Sequence, residues 1–121
     1  MTTLEEKKHP GEFLKSTPNG TRHVEEGVLA SGNNLEAGTV LGVVTASGEY
    51  SQFDDTAADG TENAVAILFA GVDASAADAD CVVVARDAEV TGSELTWPAT
   101  ADDAEIAAAT AQLAAAGIII R

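Results

Sequence analysis

The last eight residues, "AAAGIIIR" (114–121), restrict the fold more than any other stretch. Alanine has the best helix propensity, and Ile106, Thr110, Leu113 and Gly117 fall at helical spacing upstream. Gly117 is a natural left-handed stop for such a helix. The β-branched run Ile118–Ile120 then leaves the helix as a strand and is too apolar to hang free. A chain with this segment must offer it a sheet.

The other end of the helix is marked as well. Pro98 biases Trp97 toward an extended backbone. Thr100 is positioned to cap the N–H of Asp103, and Asp102, Asp103 and Glu105 favour the positive end of the helix dipole. Trp97 and Pro98 are read as a structural anchor fixing the chain's entry into the helix.

The sheet is sought upstream. "GTVLGVVT" (38–45) reads as a strand after the turn signals of "GNNLEAG", and Ser47-Gly48 joins it as a hairpin to "EYSQF" (49–53). "AVAILFAGV" (64–72) is a continuous apolar run, read as one strand buried on both faces. "CVVVARD" (81–87) is the next strand, and "AEV" (88–90) reads as a short hairpin return. Polar acidic turns separate them. The fold class is mainly β with one C-terminal helix.

Residues 1–26 differ. They hold Lys7, Lys8, Lys15 and Arg22, both histidines and two prolines, with no helical or strand period. They read as a flexible N-terminal arm, and 27–121 as the β-rich domain. The arm's large apolar residues include Leu4, Phe13 and Leu14. Phe13-Leu14, flanked by Glu12 and Lys15, suits a strand added to a partner's sheet edge.

Charge and residue types exclude several functions. A formal net charge of −14 opposes direct contact with nucleic acid or an anionic membrane. No secretion signal is visible at the start, and no run is apolar and long enough to span a bilayer. Cys81 stands alone and opens an apolar strand, which reads as a small buried hydrophobe. His9 and His23 lie in the arm, where nothing would hold a catalytic geometry. A calcium loop from Asp55 fails at Ala57 and Ala66. A lipoyl-type hairpin fails because residues 27–121 contain no lysine. The residues imply no enzyme, no cofactor and no metal. Only 4% of residues are aromatic, so the core must be aliphatic, and an oligomer interface would add burial. The strands 64–72 and 81–86 are the expected seal of such an oligomer. A small β-rich module binding a glycan or protein at a surface stays open as an alternative.

The order of the pieces resembles the lambda-type head decoration proteins of tailed phages. The resemblance rests on "LEAGTVLGVVTASGEY", "DDTAADGTENAVAILFAGVDASAADADCVVVARDAEV" and "ELTWPATADDAEIAAATAQLAAAGIIIR". It covers about residues 27–121, while the charged arm departs from it. It implies a compact β-clip or β-tulip-like domain and a non-enzymatic homotrimer. It implies binding to the major capsid protein at three-fold sites on the outer surface of an expanded virion shell, resisting packaged DNA, after synthesis in the host cytoplasm. It also implies that both termini face the capsid, and that the arm is mobile when free and ordered on the shell. The candidate capsid-binding residues are Leu4, Phe13, Leu14 and Lys15.

Overall fold

The computed structural model describes residues 8–121. Ten short strands and one helix follow in order: β1 (Leu14–Ser16), β2 (Val24–Leu29), β3 (Asn33–Leu35), β4 (Val40–Val43), β5 (Tyr50–Gln52), β6 (Ala66–Leu68), β7 (Val72–Ala74), β8 (Ala79–Val84), β9 (Ala88–Val90), α1 (Asp103–Ala115) and β10 (Ile118–Ile120). A single 3-10 turn, Gly92–Glu94, follows β9.

Five strands close a barrel in the order β2-β5-β4-β6-β8, with β3-β7 as a separate ribbon and β1-β9-β10 as a third sheet. The longest ladder is antiparallel, β2 on β8, from Val24↔Val84 to Leu29↔Ala79. The hairpin expected at Ser47-Gly48 is present as β4 on β5.

The barrel wall is buried on both faces along β4, β6 and the end of β8. Val40, Ile67 and Val84 enter one core cluster, shared with Phe13, Val90, Leu113 and Ile118. Their neighbours Leu41, Leu68 and Val83 enter the other, with Leu29 and Cys81. Successive strand residues point to opposite faces, so both faces need apolar side chains. This explains the continuous apolar runs of β6 and β8.

Three local expectations change. The run 64–72 is not one strand: β6 stays in the barrel, the chain bends at Phe69-Ala70, and β7 pairs with β3. The segment 88–90 does not return along β8. Asp87, the one described non-glycine residue with positive φ (53°), turns the chain out of the barrel. β9 then pairs with β1 and β10. The helix is capped by Asp102 rather than Thr100. Asp102 accepts the Glu105 N–H at 2.9 Å, and the Glu105 carboxylate accepts the Asp102 N–H at 3.3 Å. This reciprocal pair uses the D-x-x-E spacing of a capping box.

The closing segment behaves as its residues require. Gly117 adopts φ 92° and ends the helix. Ala109 and Leu113 are the buried positions of α1, and Gln112 fastens the helix to the barrel. Its amide oxygen accepts the Ala64 N–H at 2.8 Å, and its amide nitrogen donates to Asn63 at 2.9 Å. Ile118–Ile120 form β10, in parallel register with β9.

The packing crosses the line drawn at residue 26. Phe13 is fully buried, His23 is buried, and β2 begins at Val24 within the barrel. A lone aromatic in a segment without a period is buried here by non-local contacts, which sequence spacing does not encode.

Candidate functional site

Both ends of the described chain converge on one three-residue turn. The Gly92 N–H donates to the carbonyl of Arg121 at 3.1 Å, and Lys8 Nζ donates to the carbonyl of Glu94 at 3.1 Å. Lys8 also donates to Thr96 Oγ1 at 3.1 Å and pairs with Glu36 at 3.8 Å. Lys8 was not singled out by sequence reading. Its acceptors include a carbonyl and a hydroxyl remote in the chain, so no local charge pattern announces it.

Beside this turn lies the β1-β9-β10 sheet. β9 is central, antiparallel to β1 (Leu14↔Val90, Ser16↔Glu89) and parallel to β10 (Ile118↔Ala88, Ile119↔Glu89, Ile120↔Val90). Ala88, Val90 and Ile118 are buried, with Leu14 and Ile120 packed against the same core. The alternate positions Glu89 and Ile119 face outward. Ile119 is 37% exposed and Val28, on β2, is 36% exposed; they are the large exposed hydrophobics of the described residues. A shallow groove of about 340 Å³ runs along this face, lined by Ser16, Thr17, Pro18, Glu89, Gly117 and Ile119.

Charge is distributed unevenly around the molecule. No Lys or Arg occurs between Arg22 and Arg86. The loops of that span therefore carry acids alone. The arginines gather around the terminal sheet and are matched there: Arg121 with Glu89 at 3.2 Å, Arg22 with Asp87 at 3.1 Å, and Arg86 with Glu25. Arg86 also donates to the carbonyl of Arg22 at 2.9 Å. Exposed pairs of this kind add little stability. Their consequence is a nearly neutral face on an otherwise acidic protein. That is the face another acidic or neutral surface approaches with least repulsion.

The residues proposed from sequence fall in different places. Leu4 lies outside the described residues. Phe13 is buried in the core, so its ring is not displayed. Leu14 is half-buried on β1, and Lys15 is exposed beside it. Trp97 packs against the core with part of its ring exposed, and meets Phe53 edge to face with centroids 6.2 Å apart. Pro98 is half-buried next to it. From sequence, Ile119 was legible only as part of a strand that must pair with a sheet. Period-2 alternation places the middle isoleucine outward once Ile118 is known to face in.

A second apolar concavity of about 620 Å³ opens on the barrel, lined by Pro10, Phe69, Val72, Cys81 and Val82. Burial pushes the Cys81 thiol up, with the Asp80 charge adding to it. A thiol in that state is a poor nucleophile. Among the described residues no group of three or more His, Cys, Asp or Glu side chains stands ready to hold a metal ion. No described helix is long and apolar enough to cross a membrane.

The model of one protein family, bacteriophage lambda head decoration protein D, matches residues 3–118. The match includes the charged N-terminal segment, which carries no resemblance by inspection alone. No curated protein matches the chain significantly. With nearly the whole length matched, the chain belongs to the lambda head decoration protein D family.

Proposed function

We propose that this member of the head decoration family works as a homotrimer at the three-fold positions of an expanded phage shell, and that the terminal sheet is the face it turns to the major capsid protein. Membership makes it a structural, non-enzymatic component of the virion capsid, which decorates and stabilises the head. The observation that carries the finer reading is the convergence of Lys8 and Arg121 on the Gly92–Glu94 turn, beside a sheet with Ile119 on its outer face. A neutral, partly apolar face of this kind docks; the acidic loops stay in solvent.

Attachment then has two parts. The outer face of β9 and β10 contributes apolar contact through Ile119. The segment leading to β1, with Leu4 upstream and Leu14 and Lys15 on the strand, contributes main-chain pairing to an edge of the capsid protein. Ordering such a segment costs about 1–2 kcal/mol per residue, so one attachment is weak. Three on one trimer act together and raise avidity by about 10²–10⁴. The apolar concavity along β8, near the exposed Val28, is the surface that copies share in the trimer.

Purified protein mixed with expanded, DNA-free shells tests this reading. The expected result is added mass at every three-fold position with the terminal sheet innermost. Bound protein with its acidic loops against the shell would overturn the assignment of the face.

A further inference from the structure

We propose that Asn19-Gly20, in the loop between β1 and β2, is a site of spontaneous covalent modification, at which the asparagine converts through a cyclic imide to isoaspartate and aspartate. The electrophile is accessible: Asn19 is exposed, and among the described residues its side-chain amide makes no hydrogen bond. The nucleophile is equally free. The Gly20 N–H enters none of the backbone hydrogen bonds of the described residues. Gly20 has φ 82°, and a Cβ built there would have no neighbour within 4 Å, so the turn lies in open space on that side.

The reaction needs only water. The Gly20 nitrogen loses its proton to solvent base and attacks Cγ of Asn19. A C–N bond forms, the Cγ–Nδ2 bond breaks, and ammonia leaves. Water then opens the five-membered imide at either carbonyl. One opening gives aspartate, and the other gives isoaspartate with the main chain routed through the former side chain. Both add a negative charge in the loop that holds Arg22.

The same dipeptide chemistry is blocked elsewhere. Asp59-Gly60 is the other aspartate or asparagine followed by a glycine in the sequence. There the Gly60 N–H is committed to Glu62 Oε2 at 2.8 Å. Asp59 accepts from Thr61 Oγ1 at 2.6 Å and from the Thr61 N–H at 3.1 Å. Those bonds hold its carboxyl below the usual range, and an ionised carboxylate is a poor electrophile. Asn63 is tied to Gln112, and Gln112 also takes the next N–H, that of Ala64. Asn33 donates to the Ala30 carbonyl at 2.9 Å. Asn19 alone among the four asparagines is followed by glycine.

The test is incubation of the folded full-length protein at mildly alkaline pH, followed by denaturation and tryptic mapping. The peptide of residues 16–22 should become about 1 Da heavier and split into two forms. The form carrying isoaspartate should accept a methyl group from an isoaspartyl methyltransferase. The peptide of residues 23–86, which carries the other asparagines and Asp59-Gly60, should keep its mass and accept no methyl group. Asn19→Gln should abolish the change without altering the fold. If the 16–22 peptide stayed unchanged in the folded protein while the free synthetic peptide converted, the proposal would be overturned.

Discussion

Gly117 is packed directly against the backbone of Asp87. A Cβ at residue 117 would lie 3.2 Å from the Asp87 nitrogen, and Gly117 itself has φ 92°. Asp87 is also in the left-handed region, at φ 53°. The turn that releases β10 from the helix and the turn that releases β9 from the barrel are therefore built against each other. This is how the terminal sheet is held in register.

Gly117→Ala should destabilise the protein by about 1–3 kcal/mol, because the added methyl group is both strained at this φ and crowded by backbone. Asp87→Asn should cost far less, since asparagine tolerates the same region. Denaturant unfolding of the two variants checks this. Equal losses would mean that contact with Arg22, not backbone conformation, sets the energetics of the elbow.

Phe13→Ala should cost about 3–5 kcal/mol, the range for a large buried aromatic. Lys15→Ala, two residues away and exposed, should stay within about 0.5 kcal/mol. Under the proposed docking mode, Lys15→Ala instead weakens binding to shells. Trp97→Ala should lose less than the roughly 3–5 kcal/mol of a fully buried site, because the indole is partly exposed and rests on Phe53. Unfolding curves for the three variants separate these roles.

The segments legible in the sequence were those whose chemistry is local. Gly117, the acidic helix start and the three isoleucines announced α1 and β10 without reference to anything distant. The Ser47-Gly48 hairpin was equally local. Phe13 was illegible because its burial depends on β9 and the helix, far along the chain. β1, β3 and β7 have three residues each, too few for a period to emerge. The break in 64–72 was hidden for a related reason. A doubly buried strand and two strands in different sheets give the same apolar run, and only Gly71 hinted at the bend. For the proposed docking face, Leu14 and Lys15 could be picked out from the sequence, while Lys8 and Ile119 required the three-dimensional arrangement.

Glu49 and Asp78 give stability a pH dependence with a defined sign. Their shared hydrogen bond holds Glu49 above the usual carboxylate range, helped by desolvation and repulsion from Asp78. The same bond holds Asp78 below it, as does the Ser31 N–H, which donates to Asp78 at 2.8 Å. For Glu49 the contribution is complete below its unfolded value and is lost as pH rises through the raised folded value. For Asp78 it is present above the unfolded value and is lost as pH falls through the lowered one. The pair therefore helps most at mildly acidic pH, with Glu49 protonated and Asp78 ionised. Glu49→Gln keeps a donor without needing a proton. Its melting temperature should exceed that of the parent at neutral pH and match it at mildly acidic pH. A difference independent of pH would remove the shared proton from the account.

The two large exposed hydrophobics of the described residues separate the two surfaces proposed for this protein, the capsid-facing sheet and the trimer contact. Ile119 stands on the outer face of the terminal sheet, lining the groove together with Glu89, the partner of Arg121. Val28 stands on β2, opposite Asp80 and on the same strand face as Glu26 beside the barrel concavity. Each new aspartate would stand across from an acid, Glu89 for residue 119 and Asp80 for residue 28, so both variants should still fold but with a lowered melting temperature, and binding and mass are compared well below it. Ile119→Asp should then keep the oligomeric mass of the parent and lose most shell binding, because a charge would be carried into the apolar part of the contact. Val28→Asp should do the reverse in order: the trimer should weaken first, seen as lower mass in sedimentation, and shell binding should fall only as multivalency is lost. Raising the concentration of Val28→Asp should restore its binding, whereas no concentration should restore that of Ile119→Asp to the parent level. If Ile119→Asp bound shells as tightly as the parent, the docking face would have to lie away from β10.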